Sequence, residues 1–445
     1  MKKVFCFFLS ISIIFFSGCW DKHRVTITSE YEVAVWWADM TLSITKNTPA
    51  NSPTFASRAL GYTGLTMYES VVQGFRTHQS LAGQLNGLDK LPIPEARKEY
   101  NWILSLNAGQ AFILKSIYLQ TSDDNKLKID SLENVIEKTV AENEDGEVVK
   151  RSIEYGRNVA AAIFEWSKSD GGHRGYLSNF DKKINYPAGP GSWKAPFFAQ
   201  TISRFPLHPH WGKNRTFLKS NENWKIPPCI PYDSAANSDY FKQFNEVYQS
   251  NLSLTTEQKE IAVWWNDDPS ETFTPPGHSY NLATITIKSK KPALVNAAET
   301  YARVGISVAD AFIVCWRMKY YYFTERPSTF VSEHIDDEWE PFWPDPPFPA
   351  FPSGHATQAS AVATVLADLY GDTIDVVDNT HTGRPANRLR NVEYKERRFS
   401  SFKEIADETA YSRFLGGIHT VLDNSVGLTE GQKIGEHVNS LKWRQ

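Results

Sequence analysis

The sequence predicts a mainly α protein in which two related helical bundles pack together as one large domain. Three observations carry that expectation. Apolar residues recur at three- and four-residue spacing along much of the chain, the mark of helices with one buried face. Convincing period-2 stretches are few. A weak internal repeat is also present, with YEVAVWWADM at 31–40 echoed by KEIAVWWNDD at 259–268. Beyond a polar loop, each copy leads into a long helical pattern, one carrying Tyr68-Glu69 and the other Ala309-Asp310. Two bundles side by side would produce such a repeat.

The amino terminus reads as a secretory leader. Lys2 and Lys3 precede an apolar run and then small residues before Cys19, and the run is too short to span a bilayer. FSGC at 16–19 resembles a bacterial lipobox, which makes residues 1–18 a lipoprotein-type signal peptide, Cys19 the lipidated first residue and 19–30 a tether. The expected product is exported, periplasmic or outer-membrane-associated or on the cell surface, and meets the membrane only through its lipid anchor. Cys229 and Cys315 then remain; export permits a disulfide between them without implying one. Cys315 lies in an apolar helical run and reads as a buried free thiol.

An amino-terminal bundle is expected over 31–253, with helical patterns at 58–75, 100–120, 126–143 and 149–172. A carboxy-terminal bundle follows over 254–445, with helices expected at 291–322, 354–370 and 403–421. Segments rich in Gly, Pro, Ser and Asn at 170–213 and 268–280 read as loops. A hydrophobic content of 41% supplies a sizeable core, which excludes a disordered chain. The net charge of −4 gives no reason to expect nucleic acid as a partner. No His-Glu-x-x-His zinc signature is present. Oligomeric state is not legible in the sequence.

Chemistry concentrates in the second half. FPAFPSGHATQASAVATVLADLY at 348–370 passes from closely spaced prolines into a clean helical pattern, with Ser353, Gly354 and His355 at the junction. Ser353 alone reads as a helix cap. The same terminus also presents free N–H groups and partial positive charge, an anion site. Upstream, WRMKYYYFTERP carries Lys319 and Arg326, seven apart and so expected on one helix face, with Pro327 pushing Arg326 to a helix end. Downstream, SRFLGGIHTVLD places Ser412, His419 and Asp423 near one helical stripe, with Arg413 alongside and a local break suggested by Gly416-Gly417. Asp423, four residues after His419, could hold one imidazole nitrogen protonated and leave the other free. Lys319, Arg326 and Arg413 converging on the Ser353 terminus would bind a tetrahedral oxyanion. His355 would then serve as acid–base group and His419 as nucleophile or ligand. PPGH at 275–278 lacks the serine and reads as a loop, and His173 and Arg174 in GGHRG belong to a glycine-rich loop after a helix.

K-x6-RP at Lys319 to Pro327, PSGH at 352–355 and SR-x5-H-x3-D from Ser412 to Asp423, in that order, resemble the signature of the vanadium-dependent haloperoxidase and type 2 phosphatidic acid phosphatase superfamily. The resemblance is sharp over about 290–440 and looser before it. It implies a haloperoxidase-like fold of two helical bundles and a vanadate cofactor. It further implies that His419 bonds vanadium through Nε2, that Lys319, Arg326, Arg413, Ser353 and the Gly354 N–H hold the vanadate oxygens, and that His355 is the acid–base histidine. Asp423 fills the last position, and its orienting role rests on the imidazole argument above.

The same pocket shape accepts phosphate. In a phosphatase His419 would attack phosphorus, giving a phosphohistidine, and His355 would protonate the leaving oxygen. In a haloperoxidase, hydrogen peroxide and halide are the substrates and a hypohalous acid or equivalent is the product. Trp316 and Phe348 look like the aromatic wall of a halide site, and the long chain without spanning segments after residue 18 departs from membrane lipid phosphatases. Within the family the chain looks most like the bacterial iodoperoxidases, in its lipoprotein-like start and its WRMK and FPAFPSGH contexts. The expected halide is iodide, or bromide in second place.

Overall fold

The computed structural model describes residues 25–445. The leader, Cys6 and the lipidation candidate Cys19 lie outside the described residues. Helices α1 (Tyr31–Asn47), α2 (Pro53–Glu69), α3 (Trp102–Ile117), α4 (Asp123–Ala141) and α5 (Gly146–Ser167) build the first half. The second half holds α6 (Asp239–Asn251), α7 (Thr256–Trp264), α8 (Thr274–Lys290) and α9 (Leu294–Tyr322). It continues with α10 (Pro327–His334), α11 (Gly354–Tyr370), α12 (Phe402–Leu415) and α13 (Val421–Asn439). Many of these starts carry a side-chain cap, such as Ser52 accepting from the Phe55 N–H with Pro53 just inside the helix. No described helix is long and apolar enough to cross a membrane.

The fold is mainly helical, as expected. Between α11 and α12, β1 (Thr373–Asp378) and β2 (Arg397–Ser401) pair antiparallel with Val376 opposite Phe399. The sequence does not announce this hairpin, because so short a pair offers few alternations to count.

The two halves share one core. α2 and α9 touch backbone to backbone: a Cβ added to Gly64 would stand 2.4 Å from the Tyr301 carbonyl oxygen, and one on Gly305 2.4 Å from that of Leu60. The repeat also shows in function within the fold. Glu69 near the end of α2 accepts the Leu81 N–H at 2.7 Å, while Asp310 in α9 accepts the Phe217 N–H at 2.7 Å and the Leu218 N–H at 3.1 Å. Each buried carboxylate thus anchors a loop. The tryptophan pairs, by contrast, are not equivalent. Trp36-Trp37 lies inside α1, whereas α7 ends at Trp264 and Asp267 turns away with left-handed backbone (φ 54°).

Three expectations need correction. PPGH at 275–278 is the first turn of α8 and not a loop, since prolines suit the start of a helix. The helix expected over 403–421 stops at Leu415, and Gly417 (φ 75°) redirects the chain before α13 begins. The helix expected from 291 begins only at Leu294, after Lys291 closes α8 in left-handed conformation. Cys229 and Cys315 are both free thiols, Cys315 buried.

Candidate active site

Lys319 sits in the last turn of α9, which Phe323 closes by donating its N–H to the Lys319 carbonyl. Arg326 follows in extended backbone (φ −91°, ψ 158°), immediately before Pro327 opens α10. The two cations therefore meet across a turn and not along one helix face, because α9 ends at Tyr322.

The stiff approach to α11 supplies their partners. The chain is tied on its outer side: the Asp345 N–H donates to the Phe198 carbonyl at 3.0 Å, and the Leu207 N–H to the Pro347 carbonyl at 2.7 Å. Prolines lack N–H groups, so this segment turns mainly acceptors inward. Lys319 Nζ donates to the Pro349 and Ala350 carbonyls at 2.8 and 2.7 Å. Arg326 Nε and Nη2 donate to the Phe348 carbonyl at 3.0 and 2.8 Å. Arg413 Nη2 donates to the Ala262 carbonyl at 3.0 Å, and its Nε to Ser412 Oγ at 3.0 Å. Among the described residues, carbonyls and hydroxyls hold these cations while none of them forms an ion pair.

His419 lies in the turn between α12 and α13, so Ser412, His419 and Asp423 do not share a helical stripe. The break at Gly416-Gly417 is what frees the imidazole. Asp423 Oδ2 accepts from the Thr420 N–H at 3.0 Å and lies 3.0 Å from His419 Nδ1. On the other side Arg326 Nη1 donates toward His419 Nε2 at 3.1 Å. A guanidinium can only donate, so Nε2 is the acceptor and the proton sits on Nδ1. The lone pair of Nε2 is thereby held ready.

Ser353 caps α11 by accepting the Ala356 N–H at 3.4 Å, and its own N–H donates to the Asp423 carbonyl at 2.9 Å. That bond joins the α11 terminus to α13. Gly354 opens α11; a Cβ there would meet Trp316 at 3.6 Å and Lys319 Cε at 4.0 Å, ordinary contact that forbids nothing by itself. His355 is half-buried, and its Nε2 is shielded from solvent with no hydrogen-bond partner.

Burial sets the charges. It lowers Lys319 to about 7 and Arg326 and Arg413 to about 10. His419 is pushed well below its ordinary value by burial and then by Arg326 and Lys319, and His355 likewise by burial and Arg413. Burial raises the Asp423 carboxyl, with the Thr420 N–H and Lys319 acting against it. A buried cluster of cations around two neutral imidazoles is a site short of an anion. An oxyanion would supply it, and the orphaned His355 Nε2 would gain a partner. The donor set fits vanadate or phosphate.

An open cavity of about 480 Å³ reaches this pocket, lined among others by Phe348, His355, Leu207, Pro346, Asn266 and Asp268. Phe348 faces it. Trp316 stands behind, with ring centroids 4.8 Å from Phe348, fully buried and donating to the Leu207 carbonyl. His173 and Arg174 line a separate surface hollow beside Phe112 and Phe164.

Sequence reasoning missed Asn266, whose Oδ1 lies 3.5 Å from Arg413 Nη1 and whose backbone faces His355. It also dismissed His278. That imidazole is clamped between Asp267 (Nδ1, 2.7 Å) and Asp378 (Nε2, 2.8 Å), and despite burial these carboxylates raise it to about 10. The Asn-Asp pair that follows the second tryptophan pair was the available signal.

Residues 299–443 match the family model for the VCPO second helical-bundle domain. Over 220 residues the chain is 27% identical to the vanadium chloroperoxidase of Curvularia inaequalis, a stretch covering 43% of this chain and only 35% of that enzyme. The structure of the first bacterial vanadium-dependent iodoperoxidase superposes with a TM-score of 0.81 at 30% identity, covering 95% of this chain and 98% of that one. A holo-type bacterial vanadium-dependent chloroperoxidase gives 0.65 at 15% identity, covering 93% of each chain, and supports the fold alone.

Proposed function

The chain belongs to the vanadium haloperoxidase family, and from that premise we propose that it binds vanadate and oxidises halide, iodide foremost, with hydrogen peroxide. The observation that carries this reading is the buried set Lys319, Arg326 and Arg413, held by neutral acceptors beside the unprotonated Nε2 of His419. These cations, with Ser353 and the Gly354 N–H, would hold the oxygens of vanadate, and His419 Nε2 would be the protein's ligand to the metal. When bound, vanadate supplies a vanadium(V) Lewis acid that activates hydrogen peroxide toward halide.

The chain's own residues then do three things. Asp423 keeps the His419 proton on Nδ1, so that Nε2 remains a donor of electrons. His355 carries or accepts a proton at Nε2, at the inner end of the cavity. Phe348 makes an apolar wall between that cavity and the cations, with Lys319 Nζ 5.2 Å and Arg326 5.1 Å from its ring. Such a wall favours a large, weakly hydrated anion over a strongly hydrated one. Iodide is supported by that wall and by similarity to an iodoperoxidase along nearly the whole chain.

The test is direct. Protein loaded with orthovanadate should oxidise iodide in a peroxide-dependent way, bromide more slowly, and added phosphate should compete with vanadate during loading. Brisk hydrolysis of a phosphate monoester by the vanadate-free protein, without halide oxidation after loading, would establish the phosphatase reading instead. The lipid anchor is also proposed, resting on FSGC at 16–19: Cys19→Ala should move the protein from the membrane fraction to the soluble fraction.

A further inference from the structure

Behind His355 lies a second buried cluster with the opposite electrostatic character. Asp267 comes from the turn after α7, His278 from the first turn of α8, and His381 from the connection between β1 and β2; each is at most 3% exposed. One donor atom from each lies within 4.8 Å of the others. We propose that Asp267, His278 through Nδ1 and His381 through Nε2 bind a divalent transition-metal ion of the zinc type, at a site separate from the oxyanion pocket.

Three features support it. First, Asp267 Oδ1 and His381 Nε2 approach to 3.0 Å without the alignment of a good hydrogen bond, and neither has another hydrogen-bond partner. Buried polar atoms left unpaired are costly. Two donors at 3.0 Å can both reach one ion at ~2.1 Å, the usual length for imidazole and carboxylate ligands. Second, the outer support is built. His278 Nε2 donates to Asp378 Oδ2 at 2.8 Å; that oxygen also takes the Trp264 Nε1 proton at 2.7 Å, and Asp378 Oδ1 takes the Thr380 N–H at 3.0 Å. A carboxylate fixing the far nitrogen of a ligating histidine is the common arrangement at metal centres. Third, the charge fits. Asp267 and Asp378 bring two negative charges, which repel an oxyanion and match a dication with both histidines neutral. The ion would replace the proton on His278 Nδ1, which passes to solvent. Imidazole with carboxylate suits zinc and its neighbours better than calcium or magnesium, which prefer all-oxygen shells.

The ion would pin the long β1–β2 connection to the α7–α8 turn, whose Asn266 touches both Arg413 and His355. Untagged, vanadate-loaded protein should contain about one equivalent of a divalent transition metal besides vanadium. Chelator-stripped protein should take up one equivalent of Zn²⁺ and melt at a higher temperature with it. His381→Ala should lose that uptake and that shift while keeping its vanadium, which also reports that the variant is folded. The proposal is overturned if wild-type protein neither carries such a metal nor binds Zn²⁺ after stripping. It is equally overturned if His381→Ala binds Zn²⁺ as well as wild type does. In either case the cluster is an imidazolium paired with two aspartates. Vanadium and zinc are counted separately, so failure of the oxyanion reading would be seen independently.

Discussion

Asp423 uses a single oxygen, Oδ2, to accept the Thr420 N–H and to face the His419 Nδ1 proton. Asp423→Ala should therefore cost twice. Vanadate affinity should fall about 10–100-fold, as for a lost outer partner of a ligating histidine, and loss of the bond to the Thr420 N–H, one half of the capping box that opens α13, should remove about 1 kcal/mol of stability. Equilibrium dialysis and urea unfolding read the two effects apart. The two histidines should separate in a different way. His419→Ala should abolish both vanadium retention and turnover. His355→Ala should keep measurable vanadium yet lose about 10²–10⁴-fold in rate, the usual worth of general acid–base help. Equal vanadium loss in both variants would mean that the roles are wrongly assigned. Lys319, lowered to about 7 by burial, adds a pH dependence. An anion bound against it favours the protonated form, so binding takes up a proton above pH 7. Affinity for the oxyanion should then fall as pH rises past about 7, by up to tenfold per pH unit while that proton is gained. Lys319→Arg should flatten this dependence relative to wild type under the same conditions. At this scale the sequence was most legible where motif neighbours become site neighbours, as with His419 and Asp423. Asn266, Asp267 and His278 escaped because their partners Arg413, Asp378 and His381 lie about a hundred or more residues away in the chain.

Among elements, the helices that carry the site were legible and their ends were not. The pattern from 294 to 322 is long and apolar, but whether Arg326 continues it depends on Phe323, whose left-handed backbone ends α9. The same holds at Gly417, where the glycine pair suggested a break and the structure shows a full change of direction. Rewriting a helix end should therefore hurt the site more than rewriting a helix face. Gly417→Ala is a fair trial, because a Cβ there would stand 2.6 Å from Asn251 Oδ1 and the backbone sits at φ 75°. Destabilisation by at least about 1 kcal/mol is expected, with vanadium retention falling alongside, since His419 rides on that turn. Unchanged retention would show that the turn does not position the imidazole.

Across the whole molecule, the halves are joined where α2 meets α9 and where the amino-terminal loop carrying Leu207 braces the proline segment before α11. The internal repeat hinted at the first junction. Nothing in the sequence marks the second, which is a backbone bond between distant loops. Gly64→Ala or Gly305→Ala would push a methyl against a carbonyl of the partner helix and should cost about 1–3 kcal/mol, visible as a lower melting temperature. The oxyanion is proposed to sit among Lys319, Arg326 and Arg413, on the unprotonated Nε2 of His419. A crystal structure of the protein grown with orthovanadate would decide this. Vanadium density bonded to His419 Nε2 is expected, with oxygens within hydrogen-bond reach of those cations and of the Gly354 N–H. Vanadium located elsewhere, or a pocket that stays free of it at saturating vanadate, would overturn that placement.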